Sequence, residues 1–125
     1  MCLDSAKPSQ RGAYLVVMGN YLVAQDLAES IEYYDPSADV IVRHTLHEAV
    51  EAVELAEQIV VAFVAEAPGR YLASPLAGLL SKHGARIILI GDEAEAQGES
   101  GGWQVLFRPF SMSVVLGLLV GSARV

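Results

Sequence analysis

Three short runs of this chain are apolar at consecutive positions rather than at alternate ones. Residues 14–18 (YLVVM) and 59–64 (IVVAFV) are apolar throughout, and residues 86–90 (RIILI) are apolar after their leading arginine. All three are rich in the β-branched residues that suit a pleated strand. A strand with one solvated face alternates polar and apolar positions, so these three need cover on both faces. A parallel sheet with helices on either side supplies it.

The segments between the runs supply those helices. From residue 21 to 34, Val23, Leu27 and Ile31 recur every four residues, while Gln25, Asp26, Glu29 and Glu32 take the other side. That pattern predicts an amphipathic helix, begun after a break at Gly19 and Asn20 and ended at Asp35–Pro36–Ser37. Residues 40–43 read as a short strand. Thr45 and Glu48 have capping-box spacing ahead of a helix whose stripe is Leu46, Ala49, Val50, Val53 and Ala56. Residues 65–69 form a loop, and a third helix lies within residues 70–83. Pro75 fits best as a first helical residue with Ser74 as its cap, and Gly84 is a natural stop. Residues 92–102 (DEAEAQGESGG) have no large apolar anchor, so any helix there is short and the segment is expected to be the least ordered. Residues 103–107 read as a fifth strand. Ser111 can cap a last helix to about Val120, with Gly121 ending it.

Residues 1–12 read as a flexible leader, 13–121 as one α/β domain and 122–125 as a tail. Right-handed crossovers leave few topologies for five such strands. The expected fold is a flavodoxin-like, doubly wound, five-stranded parallel sheet of order 2-1-3-4-5 with helices on both faces. Ligands in such folds sit at the carboxyl ends of the strands, which singles out the loops at residues 18–20, 64–69, 91–93 and 108–110.

Composition narrows the function. The 125 residues carry a formal charge of −7, with eight Lys and Arg against fifteen acids. A phosphate backbone demands cationic surface, so nucleic acid is excluded as a partner. Residues 59–65 and 114–120 are the longest apolar stretches, far short of the roughly 18 residues of a membrane span, so no membrane partner is expected. Residues 1–12 are polar and lack the apolar centre of a secretory signal. Cys2 is the single cysteine and can form no intramolecular disulfide. Together these features suit the cytoplasm.

The candidate loops are similar to the active face of a receiver domain, the module that bacterial histidine kinases phosphorylate. LVVMGNYLVAQDLAESIE resembles that family's first strand and helix, and IVVAFVAEAPG its third strand with the following Pro–Gly loop. ARIILIGDE resembles the fourth strand, and VLFRPF the fifth strand with its Lys–Pro–Phe ending. The resemblance spans residues 14–120. It implies that a working member holds Mg²⁺ with an acidic pair after the first strand and accepts phosphate on an aspartate ending the third. It further implies a Ser or Thr ending the fourth strand and a lysine before the proline, whose peptide bond is cis. Here the acidic pair falls on Met18 and Gly19, followed by Asn20. The acceptor falls on Val64, or on Phe63 with a slip of one. The hydroxyl position falls on Gly91, or on Ile90 with the same slip, and the lysine is Arg108, before Pro109.

These replacements remove the chemistry. Mg²⁺ takes hard oxygen ligands, which a thioether and a glycine do not offer. Valine is no nucleophile. The resemblance therefore implies a vestigial pocket of Met18, Gly19, Asn20, Val64, Gly91 and Arg108, with no catalytic residue, metal or cofactor. Arg108 is expected to pair with Glu66 or Asp92 rather than to bind an anion, and Glu66 to be solvated rather than a displaced acceptor. His44 and His47 are read as solvated histidines and His83 as a helix C-terminal imidazole suited to the dipole. Neither GxGxxG nor GxxxxGK[ST] occurs.

The last helix is apolar all round. Met112, Val114, Val115, Leu116, Leu118, Leu119 and Val120 leave almost no polar face, whereas cover for a sheet needs one stripe. Met112, Val115, Leu116, Leu118 and Leu119 are the expected interface, toward a second copy or another protein. The function expected is a non-catalytic pseudo-receiver acting through protein contacts as a homodimer. The alternatives are a small α/β enzyme or nucleotide-binding domain using the same strand ends, and a phosphorylatable receiver with relocated chemistry.

Overall fold

The computed structural model describes residues 12–99 and 102–123, with side chains to residue 120. Most of the expected leader, residues 1–11, lies outside the described residues, as do Ser100 and Gly101. The elements run β1 (Ala13–Val17), α1 (Tyr21–Tyr34), β2 (Asp39–Arg43), α2 (Leu46–Leu55), β3 (Ile59–Val64), α3 (Pro68–Ala73), α4 (Pro75–His83), β4 (Arg86–Leu89), α5 (Asp92–Gln97), β5 (Trp103–Val105) and α6 (Met112–Ala123). All five strands are parallel, in the order β2-β1-β3-β4-β5. The doubly wound arrangement read from the apolar runs is the arrangement observed.

Side chains of a strand point alternately to opposite faces, and the core divides accordingly. Ala13, Leu15 and Val17 of β1 pack with Ala62 and Val64 of β3, and this face is covered by α2, α3, α4 and α5. Tyr14, Val16 and Met18 pack with Val61 and Phe63, and this face is covered by α1 and α6. Leu15, Val16, Ala62, Phe63 and Val64 are fully buried. Since successive residues reach both clusters, no position of β1 or β3 can be polar.

The helix ends follow local chemistry. The Asn20 side chain caps α1 by accepting from the Val23 N–H at 3.1 Å, and Thr45 caps α2 by accepting from Glu48 N–H at 3.1 Å. The Glu48 carboxylate reaches back one residue beyond the cap, to the His44 N–H at 3.2 Å. Gly84 ends α4 in the left-handed region (φ 69), where the Ala85 N–H bonds the Leu80 carbonyl at 3.1 Å.

Several expectations are corrected. The loop after β3 is shorter, because Pro68 opens a six-residue helix before Ser74 breaks the chain with ψ 156. Ser74 does not cap α4 through its side chain; its hydroxyl donates to the Tyr71 carbonyl at 2.7 Å. The last helix continues through Gly121 to Ala123, so residues 122 and 123 belong to α6 and not to a tail. Glycine stops a helix only where it takes a left-handed turn, and positive φ is found at Gly12, Gly84, Gly91, Gly98 and Gly102 but not at Gly121. In keeping with expectation, the segment after β4 forms only the short helix α5, six residues with Ala94 as the buried one.

His83 does more than sit at a helix end. Its Nδ1 accepts the Ile59 N–H at 2.9 Å, while its carbonyl accepts from Gln58 Nε2 at 2.7 Å. The ring nitrogen thus serves the strand next to the helix end, beyond the helix C-terminal position expected of it. The bond satisfies the first N–H of β3. Replacing His83 by Ala should destabilise the domain by about 1 kcal/mol, the cost of leaving that donor without its partner. A urea midpoint lowered at unchanged slope is the expected result; an unchanged midpoint would show that water serves the donor equally well.

Candidate functional site

In a doubly wound sheet the loops after β1 and β3 leave toward opposite faces, and the gap between them is where ligands enter. Here α1 follows β1 onto one face and α3 follows β3 onto the other. The carboxyl edge holds a shallow cleft of about 330 Å³, lined by Met18, Gly19, Asn20, Val23, Ala65, Ile90, Gly91, Arg108 and Phe110. Of the six pocket residues expected from the sequence, five line it. Val64 does not: it is the last residue of β3, fully buried in the face under α2 to α5.

The chemistry of the lining is sparse. Met18 is 5% exposed and belongs to the core. Its carbonyl accepts from His44 Nδ1 at 2.8 Å, and the His44 ring stacks on Tyr21 with centroids 3.7 Å apart and planes 19° apart. His44 is therefore a half-buried strut between β2 and the β1–α1 loop, not the solvated residue expected. His47 is exposed and lies 3.8 Å from Glu51, so the two histidines are engaged separately. Gly19 brings no side chain, and the Asn20 side-chain oxygen is committed to capping α1. Gly91 takes φ 135 and starts α5 without a side-chain cap.

The Mg²⁺ that the resemblance implies for working receivers does not fit these residues. A thioether and a glycine stand where such an ion requires two carboxylates, and the amide of the following Asn20 caps α1. Among the described residues, no group of three His, Cys, Asp or Glu is placed to hold a metal.

Arg108 is the cation of the cleft, and two carboxylates hold it. The Nε donates to Glu95 at 2.8 Å, the Nη2 pairs with Asp92, and the Arg108 backbone N–H donates to the same Glu95 oxygen at 3.0 Å. The Arg108–Pro109 peptide is cis. The bonds from Arg108, side chain first and backbone second, hold the Glu95 carboxyl below the usual range; those from Glu95 and then Asp92 raise Arg108. Of the two acids expected as partners, Asp92 is one and Glu66 is not. Glu66 accepts from Arg70 at 3.0 Å, which also leaves it paired rather than solvated. Glu95 was missed in the sequence. Its signal was the spacing from Asp92, since acids three apart on a helix share a face.

Burial pushes the Tyr71 phenol up to about 12, so it stays protonated at neutral pH. Tyr14 is raised too, by burial first and then by Asp35 and Tyr34.

The last helix departs from the expected interface. Val115 and Leu119 are buried against the sheet and are part of the core under α1 and α6, so they are not available to a partner. Their spacing of four puts them on the one stripe that covers the sheet. Leu116 and Leu118 are half-buried, and Leu118 packs against that core. Met112 is exposed, as are Val114 and Val120, at 44, 46 and 48%. The outward face thus runs through Ser113 and Gly117, with Val114 on one flank and Val120 on the other. No helix among the described residues is long and apolar enough to cross a membrane.

No protein-family model matches the chain, and no curated protein matches it. Among solved structures it is similar to the solution structure of SdrG from Sphingomonas melonis Fr1, with a TM-score of 0.66 over 86% of this chain and 92% of that one. The two sequences are 23% identical, a likeness that shows the fold alone. The chain has the flavodoxin-like α/β fold, with five parallel strands in the order 2-1-3-4-5.

Proposed function

We propose that this chain is a receiver-like signalling module that accepts no phosphate and acts in the cytoplasm through protein contacts. The observation that carries the reading is the state of the carboxyl edge. The positions where phosphoryl transfer needs carboxylates hold Met18, Gly19 and a fully buried Val64, and the guanidinium of Arg108 is bound by Asp92 and Glu95. Phosphoryl transfer needs a nucleophile and cations that neutralise the transferred group. Met18, Gly19 and Val64 supply no nucleophile and no metal ligand. At two of those positions the side chains, Met18 and Val64, are part of the hydrophobic packing itself.

The contact surface proposed for self-association is the outward face of α6. Residues 112–120 carry no charge, Val120 is exposed one turn from the half-buried Leu116, and Val114 is exposed across Ser113 and Gly117 from it. An uncharged apolar face suits a two-fold pairing, because the same patch serves both partners without like-charge repulsion.

Three outcomes test the reading. Incubated with acetyl phosphate and Mg²⁺, the protein should keep its intact mass; a stoichiometric, hydroxylamine-labile gain of phosphate contradicts it. In sedimentation at micromolar concentration the protein should be dimeric and Val114→Glu monomeric, while a monomer unaffected by the substitution removes the dimer. Lastly, an NMR titration should find Glu95 deprotonating below the ordinary glutamate range, and Arg108→Gln should return it there. A carboxyl lowered on folding adds stability above its unfolded value and loses it as the pH falls through the folded one. The Arg108–Glu95 contribution is therefore present at neutral pH and lost in acid. Identical Glu95 titrations in both proteins would mean that Arg108 is not held as described.

A further inference from the structure

The face of the sheet under α2 to α5 is unevenly covered. α5 buries Ala94 alone, and Ile87 and Trp103, which pair across β4 and β5, are left half-buried. The residues of α4 nearest them are small, with Ala77 and Ser81 four apart on one stripe. Between these residues lies a cavity of about 240 Å³, lined also by Tyr71 of α3. A cavity of about 150 Å³ already holds a benzene, so two fused rings fit this one. Two polar groups of its wall are unpaired. Tyr71 is 3% exposed, and its hydroxyl has no hydrogen-bond partner among the described residues. Burial alone pushes that phenol up to about 12, so it keeps its proton to donate at neutral pH. The Trp103 Nε1 is buried without an acceptor as well. A buried donor without an acceptor is costly, and native proteins leave few of them.

We infer that this cavity binds a neutral, flat, largely apolar small molecule that carries a hydrogen-bond acceptor. The Tyr71 hydroxyl donates to that acceptor, and the rings pack beside Trp103 and Ile87. An apolar wall with a few polar groups to fix orientation is the usual make-up of a small-molecule site. No charged side chain lines the cavity, so an ion entering it would lose its water without a counter-charge, which selects a neutral ligand. The inference goes beyond the non-catalytic reading and does not depend on it. The cavity shares no lining residue with the carboxyl-edge cleft, and it lies across the sheet from α6.

Quinoline and naphthalene test this on the full chain, because they share one shape and differ by one acceptor nitrogen. The chain has a single tryptophan, so its one indole N–H resonance reports the cavity directly. Quinoline should shift that resonance saturably and bind about tenfold tighter than naphthalene, the weight of one neutral hydrogen bond. Tyr71→Phe keeps the ring and removes the donor. It should bring quinoline down to the affinity of naphthalene and leave naphthalene within about twofold of its own value. Ala77→Leu, which takes up the space, should weaken both probes. The proposal is overturned if the two probes bind equally, if Tyr71→Phe binds quinoline as the unsubstituted protein does, or if no saturable shift is seen up to the solubility of quinoline. Amide shifts centred on Gly19 and Gly91 would also overturn it, since they put the probe in the carboxyl-edge cleft. Phosphate uptake would sink the non-catalytic reading and leave these affinities unchanged, so the two fail separately.

Discussion

The structure depends on β1 and β3 being buried on both faces. Their backbone N–H and C=O groups cannot reach water, so each strand needs a hydrogen-bonded neighbour on either edge, and each face needs helices. β1 finds β2 and β3, and β3 finds β1 and β4. Everything else in the layout follows: α1 and α6 on one face, α2 to α5 on the other, and every connection on the strand-end rims. Gly12 shows how tight the entry is. A Cβ there would stand 2.7 Å from the Val60 side chain, and its φ of 75 favours glycine in any case.

Because packing is satisfied by apolar contacts, the strand ends are free to change their chemistry without loss of the fold. Polar groups at the carboxyl edge now have structural duties instead. Asn20 caps a helix, His44 braces the β1–α1 loop by its bond to the Met18 carbonyl, and Arg108 ties α5 to the chain after β5. That last tie compensates for a weak element. α5 is six residues long with Ala94 as its one buried residue, and Glu95 and Asp92 hold it where apolar contact does not. The contribution is electrostatic and exposed, hence modest and sensitive to salt.

Sheet order and strand positions were legible because consecutive apolar residues admit few solutions. Residues 59–64 could be nothing but a doubly buried strand, and the observed β3 has those bounds. What escaped depends on contacts between distant segments. Nothing in the neighbourhood of His83 announces that its ring accepts the Ile59 N–H, and nothing near His44 announces Tyr21 beneath it. Glu95 was hidden differently, since an acidic, glycine-rich stretch reads as solvated until its partner across the edge is known. In α6 the excess of apolar residues was plain, but which of them face outward was not. A helix apolar all round gives no phase, and the structure turned Val115 and Leu119 inward.

The central claim is that the carboxyl edge has the shape of a phosphoryl site without its chemistry. Beryllofluoride with Mg²⁺ mimics a phosphoryl group on an aspartate and tests the edge directly, without a kinase. Amide spectra of the protein with and without it should superimpose at Met18, Gly19, Val64, Ala65 and Gly91. Saturable shifts that require both beryllofluoride and Mg²⁺ and centre on those residues would contradict the account.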